Sequence, residues 1–232
     1  MSEIGWKENF KDTEITILAG QVEPYQRVLD LQRDLNNHVN EKEDTGFIIL
    51  CEHQDVYTCG IHTEHIDDRI KNPVRIERGG SITYHGPGQI IAYYILNMKH
   101  LRTNILGIIE NAHLAEIDTL YNLGVQNAES RLGKETGIWV GSRKIGSTGF
   151  AIKMNATLHG TALNIEPDLE RFSFINPCGF GWEIMTSVQR ETGKNYIMDE
   201  VRKILIGNII KRFEIEDFKR GTLSAQLSGT VP

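Results

Sequence analysis

The stretch from Gly137 to Ile165 constrains the fold most. GIWVG, RKIGSTGFAI and ATLHGTALNI are short runs of strand formers separated by glycine-containing turns, and they read as successive strands. Further strand-sized runs are EITIL at 14–18, GFIILCEH at 46–53 and DVYTCG at 55–60. Two more flank HGPG in ITYHGPGQIIAYYILNM, where Gly-Pro-Gly marks a tight connection. Helical spacing appears in three places. Val28, Leu31, Leu35 and Val39 recur between Tyr25 and Glu41. Ile105, Ile108, Ile109, Ala112 and Leu120 do so over 104–123, and Val201, Ile204, Leu205 and Ile209 over 198–213. PDLERF reads as one helical turn with Pro167 suited to its start.

Helices that alternate irregularly with runs of adjacent strands predict an α+β fold, a mixed sheet backed by helices, rather than a doubly wound parallel sheet. No GxGxxG follows a strand and no GxxxxGK[ST] occurs, so dinucleotide and P-loop sites lack their signatures. With no repeat or low-complexity linker, the expectation is a single domain over 1–220 and a loose tail over 221–232.

A net charge of −6 argues against nucleic acid as the main partner, because phosphate binding needs a basic surface. No apolar run approaches the roughly 18–20 residues that span a bilayer, and MSEIGWKENFKDTE lacks the layout of a secretory leader. Three cysteines, Cys51, Cys59 and Cys178, suit a reducing compartment, and a cytoplasmic location is expected. Cys51, His53, Cys59, His62 and His65 are zinc-ligand types lying close together, which keeps a metal-binding module as an alternative. Their spacing matches no recognised finger, so no metal is expected.

Four segments are hard to explain by packing alone. RGGSITYHGPGQ (78–89) lets backbone approach backbone or ligand closely, although a glycine-rich hairpin with an incidental histidine would look the same. GSRKIGSTGF (141–150) puts Lys144 inside a strand-like run, where a lysine normally points to solvent. LHGTALNI (158–165) sets His159 before a glycine and small residues. INPCGF (175–180) presents Cys178 between a proline and a glycine, on a turn rather than within a strand or helix where a buried cysteine usually sits.

In order and approximate spacing, RGGSITYHGPGQ, RKIGSTG, HGTALNI and INPCG resemble the octanoyltransferases of lipoate biosynthesis. VYTCG at 56–60 is similar to an early motif of that family, with Cys59 in place of its usual apolar residue. Gly146 and Thr148 likewise stand where small or apolar residues are common. The resemblance runs from about Gly46 to Cys178. It implies the fold of biotin- and lipoate-ligase catalytic domains and a two-step acyl transfer. An octanoyl group leaves acyl carrier protein, resides on Cys178 as a thioester, and passes to a lysine of a lipoyl domain. The implied partners are therefore acyl carrier protein, lipoyl domains of 2-oxoacid dehydrogenase complexes and the glycine cleavage H protein, with no cofactor and no nucleotide.

Carried over by motif, Cys178 is the acyl acceptor and Lys144 its partner. Arg78, Gly79, Gly80, Ser81, Ile82, Thr83, Tyr84 and His85 line the acyl site, with Ser147, Thr148 and Gly149, and with Gly160, Thr161 and Ala162; His159 is a further candidate. Ile82, Tyr84 and Ile145 are expected to give the acyl chain its apolar surface. The pairing is chemically reasonable: a thiol with pKa near 8.5 is only a few per cent thiolate at neutral pH, and a nearby ammonium favours the anion. The competing readings are an ATP-dependent lipoate–protein ligase, which needs no such cysteine, and a non-catalytic module that binds lipoyl domains.

Overall fold

The computed structural model describes residues 10, 12–175 and 181–228. In chain order these form β1 (Glu14–Glu23), α1 (Tyr25–Glu41), β2 (Thr45–His53), β3 (Val56–Cys59), β4 (Val74–Arg75), β5 (Ile82–His85) and β6 (Gln89–Leu96). There follow α2 (Ile105–Asn122), β7 (Ala128–Arg131), β8 (Gly137–Val140), β9 (Arg143–Lys153) and β10 (Ala156–Asn164). The described chain closes with α3 (Val188–Thr192), α4 (Met198–Phe213), β11 (Phe218–Thr222) and α5 (Leu223–Leu227).

Eight strands make the main sheet in the order β11-β1-β2-β6-β10-β9-β8-β7. β1 runs parallel to both β2 and β11, and the remaining pairs are antiparallel, so the sheet is mixed. Central β6 is buried at every position, as expected where helices cover both faces. α1 packs one face through Val28, Leu31, Leu35 and Val39, against Ile91, Tyr93 and Ala162. α2 and α4 cover the other, where Ile108, Ala112, Leu120, Leu205 and Ile209 meet Leu50, Ala92, Tyr94 and Leu163. Asn104 caps α2, its side-chain oxygen accepting from the Gly107 amide at 3.1 Å.

A second sheet, β4-β3-β5, stands beside the first. Because β5 and β6 belong to different sheets, HGPG is a corner between layers, and the glycine-rich hairpin reading is corrected. The corner is pinned at Gly88, whose amide donates to Glu52 Oε2 at 3.0 Å and whose carbonyl accepts from the Ile165 and Glu166 amides. Gly88 has φ +85°, and an added Cβ would meet the Glu166 carbonyl oxygen at 2.6 Å, so only glycine fits. Glu52 is itself held by buried Arg202 of α4, Nη2 to Oε1 at 3.2 Å.

The C-terminal expectation also needs correction. Residues 221–228 are not loose: β11 extends through Thr222 along β1, and α5 buries Leu223 beside Leu18. Residues 229–232 lie outside the described residues. No helix among the described residues is long and apolar enough to cross a membrane.

Candidate active site

The floor of the site is a strand pair. Ser147, Thr148 and Gly149 on β9 face Ala162, Thr161 and Gly160 on β10 in direct register. Its roof is Arg78-Gly79-Gly80, which leads from β4 into β5. The Gly79 amide donates to the Phe150 carbonyl at 3.1 Å, drawing roof onto floor. A Cβ on Gly149 would lie 2.9 Å from Arg78 Cδ, and one on Gly160 would lie 2.0 Å from the Ala92 carbonyl oxygen. Both glycines therefore follow from close backbone approach. Between roof and floor lies a cleft, open to solvent, with Ile76, Ile82, Ile91, Tyr93 and Ala162 as apolar lining.

Lys144 reaches this cleft from the third side. It departs from the ordinary strand lysine in being 2 % exposed. Nζ donates to the Thr136 carbonyl at 2.9 Å and lies 5.6 Å from the centre of the Trp139 ring. Gly137 makes room for it: with φ +146°, a Cβ there would stand 2.7 Å from Lys144 Cε. An irregularity in the β8–β9 register between Ile138 and Trp139 accompanies this placement.

His85, Tyr25 and Tyr93 also line the cleft, and His53 bonds to Tyr93. His53 Nε2 lies 2.7 Å from the Tyr93 hydroxyl and Nδ1 lies 2.9 Å from the Glu23 carbonyl. The carbonyl can only accept, so Nδ1 carries the proton and Tyr93 donates to Nε2. His85 stacks on Tyr25 with ring centres 6.2 Å apart. Burial pushes His53 down to about 4 and His85 down to about 3, so both are neutral at physiological pH.

His159 stands apart from these. It has φ +64° inside β10, a left-handed conformation that costs a non-glycine residue about 1–3 kcal/mol. Its amide donates to Gln32 Oε1 of α1 at 3.1 Å, which holds the backbone there. The ring is buried and lines the cleft, and neither nitrogen has a hydrogen-bond partner among the described residues. Nε2 lies 3.8 Å from Glu77 Oε2, an ion-pair distance rather than a hydrogen bond. Glu77 also takes two bonds from Arg33, at 3.1 and 3.3 Å. The His159 ring and the Arg33 guanidinium hold its carboxyl well below the usual range.

Behind the floor, α2 supplies two buried side chains one turn apart. His113 Nε2 lies 2.7 Å from Thr148 Oγ1 and Nδ1 lies 2.6 Å from Ser130 Oγ. Glu116 Oε1 accepts from the Thr161 hydroxyl at 2.5 Å. Burial pushes Glu116 up to about 8, while burial and the Lys144 charge push His113 down to about 4.

The structure thus gathers Arg78, Gly79, Gly80, Ile82, Thr83 and His85 from the roof motif around one cleft with Lys144. Ser147, Thr148 and Gly149, then His159, Gly160, Thr161 and Ala162, complete it from below. Thr148 and Thr161 commit their hydroxyls to α2. Arg78 spends its guanidinium on the Thr58 and Gly79 carbonyls, at 2.7 and 3.0 Å, supporting the roof. Ser81 and Tyr84 do not line the cleft. Tyr84 packs on Phe172 and donates to Asp55 at 2.7 Å, because alternation along β5 turns it away from Thr83. Ile145 belongs to the core under α2, so Ile76, Ile91 and Tyr93 replace it and Tyr84 as apolar lining. Cys178 lies outside the described residues. Tyr25, Tyr93, Glu77, His113 and Glu116 were not anticipated; the last two were visible only as polar breaks on an apolar helix face.

Among the described residues, no group of three or more His, Cys, Asp or Glu side chains is arranged to hold a metal ion. Cys51 and Cys59 are buried free thiols, Cys51 Sγ lying 3.8 Å from His53 Nε2.

The lipoyl protein ligase A/B catalytic domain family matches residues 24–210. This chain belongs to that family. Among its curated relatives is a Picrophilus torridus protein named "Probable octanoyltransferase 2", 41% identical over 90% of this chain and 84% of the relative. Another is the octanoyltransferase of Caldanaerobacter subterraneus subsp. tengcongensis, 35% identical over 86% of this chain and 90% of the relative. A solved bipartite lipoate protein ligase from Thermoplasma acidophilum, studied with its E2 lipoyl domain, covers 94% of this chain and 90% of its own. It matches with a TM-score of 0.67 at 19% identity. At that identity the likeness concerns the fold, and it agrees with the expected ligase-type mixed sheet backed by helices.

Proposed function

We propose that the protein is an acyltransferase that moves an octanoyl group from octanoyl–acyl carrier protein onto Cys178 and then onto a lysine of a lipoyl domain. One observation carries this reading: a buried lysine, Lys144, lies on a cleft built from the three glycine-rich motifs. The family's octanoyltransferase names support the acyl class, and the ligase studied with an E2 lipoyl domain supports the acceptor. In this reading Lys144 favours the Cys178 thiolate; one pKa unit of depression corresponds to about 1.4 kcal/mol, within reach of one close cation. The thiolate attacks the acyl carbonyl and the carrier's thiol leaves. Replacing one thioester by another is nearly balanced, whereas amide formation pulls the cycle forward. No nucleotide takes part. Ile76, Ile91 and Tyr93 hold the acyl chain at about 0.8 kcal/mol per buried methylene.

The carrier, which is acidic, docks on the basic stretch of Arg69, Lys71 and Arg75; buried Arg78 is not part of that surface. Docking that is insensitive to salt would count against this surface.

Intact mass after incubation with octanoyl–acyl carrier protein, without nucleotide, tests the central claim. The wild type should gain one octanoyl group and Cys178→Ala none. Octanoylation of a lipoyl domain only when ATP is supplied would favour the ligase reading, which draws its support from the fold likeness.

A further inference from the structure

His159 fits neither a packing role nor the cysteine–lysine pairing. Its backbone is held left-handed inside a strand, Gln32 grips its amide, and Gly160 beside it tolerates no side chain. A core histidine would spend at least one ring nitrogen on a neighbour, as His53 and His113 do. His159 instead lines the cleft with both ring nitrogens buried and without hydrogen-bond partners among the described residues, and with an ionised carboxylate 3.8 Å from Nε2. That carboxylate is partly exposed, its side chain 39% accessible, so the pair connects the cleft to solvent.

We infer that His159, backed by Glu77, is the base that takes a proton from the incoming lysine ammonium in the second half-reaction. The inference rests on the acyl-transfer reading above. A lysine side chain is almost wholly protonated at neutral pH and has no free electron pair for attack. Nε2 carries its hydrogen toward Glu77, so the Nδ1 lone pair accepts one ammonium proton, giving an imidazolium that Glu77 stabilises and solvent discharges. The free amine then attacks the carbonyl carbon of the enzyme thioester. The C–N bond forms, the C–S bond breaks, and the second proton leaving nitrogen ends on the departing sulfur.

Several charges bear on the imidazole. Glu77 and, through it, Arg33 of α1 stand on one side, and Arg78 lies in the roof. Neutral His85 and Tyr25 also line the cleft, with Tyr93 on β6 and Lys144 on β9. Lys144 keeps the sulfur anionic in the first step, and a cation held for that purpose is poorly suited to accept a proton in the second. A separate base resolves that conflict.

The test separates the half-reactions. His159→Asn is the first variant, since asparagine tolerates φ above zero. By intact mass it should lose far less in taking octanoyl from octanoyl–acyl carrier protein than it loses in the transfer that follows. It should then pass the group to a lipoyl domain about 10²–10³-fold more slowly at pH 7. That deficit should shrink as pH rises toward the lysine's own pKa, because the amine then deprotonates unaided. Glu77→Gln, which leaves the β10 backbone untouched, should slow transfer about tenfold with adduct formation unchanged, and it decides the matter if His159→Asn loses its cooperative unfolding transition. Unchanged transfer, equal losses in both half-reactions, or a deficit constant with pH would overturn the role. Absence of an adduct on the wild type would sink the thioester reading alone, and the pH-dependent deficit in overall amide formation would still decide the histidine's part.

Discussion

Thr148 and Thr161 stand opposite each other across β9 and β10, and α2 binds both from behind the cleft. His113 takes one hydroxyl and Glu116 the other, three residues apart on a single helix face. The floor's alignment therefore depends on two polar side chains buried on α2.

Glu116 gives this arrangement a pH signature. Its carboxyl is raised from 4.5 to about 8, so the fold favours the protonated form. That contribution is complete below pH 4.5, declines as pH climbs, and is lost once the folded group ionises near 8. Glu116→Gln keeps an acceptor for Thr161 and cannot titrate. Thermal melts should show wild type losing on the order of 5 °C relative to the variant between pH 5 and pH 8. Parallel curves would show that the carboxyl is not neutral in the fold.

Replacing Lys144 bears on chemistry rather than folding. Lys144→Ala should retain a cooperative unfolding transition and lose about 10²-fold or more of octanoyl transfer at pH 7. Intact mass should show slow adduct formation that recovers as pH approaches the free thiol's pKa of about 8.5. Adduct formation at the wild-type rate at neutral pH would remove the lysine from the first step.

Two glycines should respond oppositely to alanine. Gly160→Ala forces a methyl to 2.0 Å from the Ala92 carbonyl oxygen between central strands, and a loss of roughly 3 kcal/mol or more is expected in urea unfolding. Gly207, within α4, has nothing within 4 Å of the added carbon. Gly207→Ala should stabilise by about 0.5–1 kcal/mol. Equal effects at the two positions would contradict the strand geometry of the floor.

Gly137 offers a gentler probe of the lysine. An alanine there meets both Lys144 Cε and the Gly146 carbonyl oxygen, and φ +146° strains it further. Gly137→Ala should lower transfer about tenfold while costing roughly 1–3 kcal/mol of stability. Undiminished transfer would show that the ammonium tolerates displacement.

The elements with strong periodicity were legible in the sequence: α1 and α4 occupy the spans their apolar spacing predicts. β11 and α5 were not. FKRGT carries no alternating pattern, and its partner β1 lies some two hundred residues away in the chain, a pairing that local reading cannot detect. The glycine motifs were legible because close backbone approach leaves a compositional trace, whereas Tyr84 was misplaced because motif membership does not say which way a strand residue points. Glu77 leaves no trace in the sequence, because a lone surface-type carboxylate gains meaning only beside His159, more than eighty positions away.

The edge strand has a practical corollary. β1 is ten residues long, flanked by β2 on one side and by β11 on the other. Cutting the polypeptide before Phe218 would strip that second neighbour and bare a ribbon of unsatisfied amides and carbonyls, a template for self-association. Truncations made to shorten this enzyme for crystallisation or tagging should therefore precipitate before they lose their catalytic cleft.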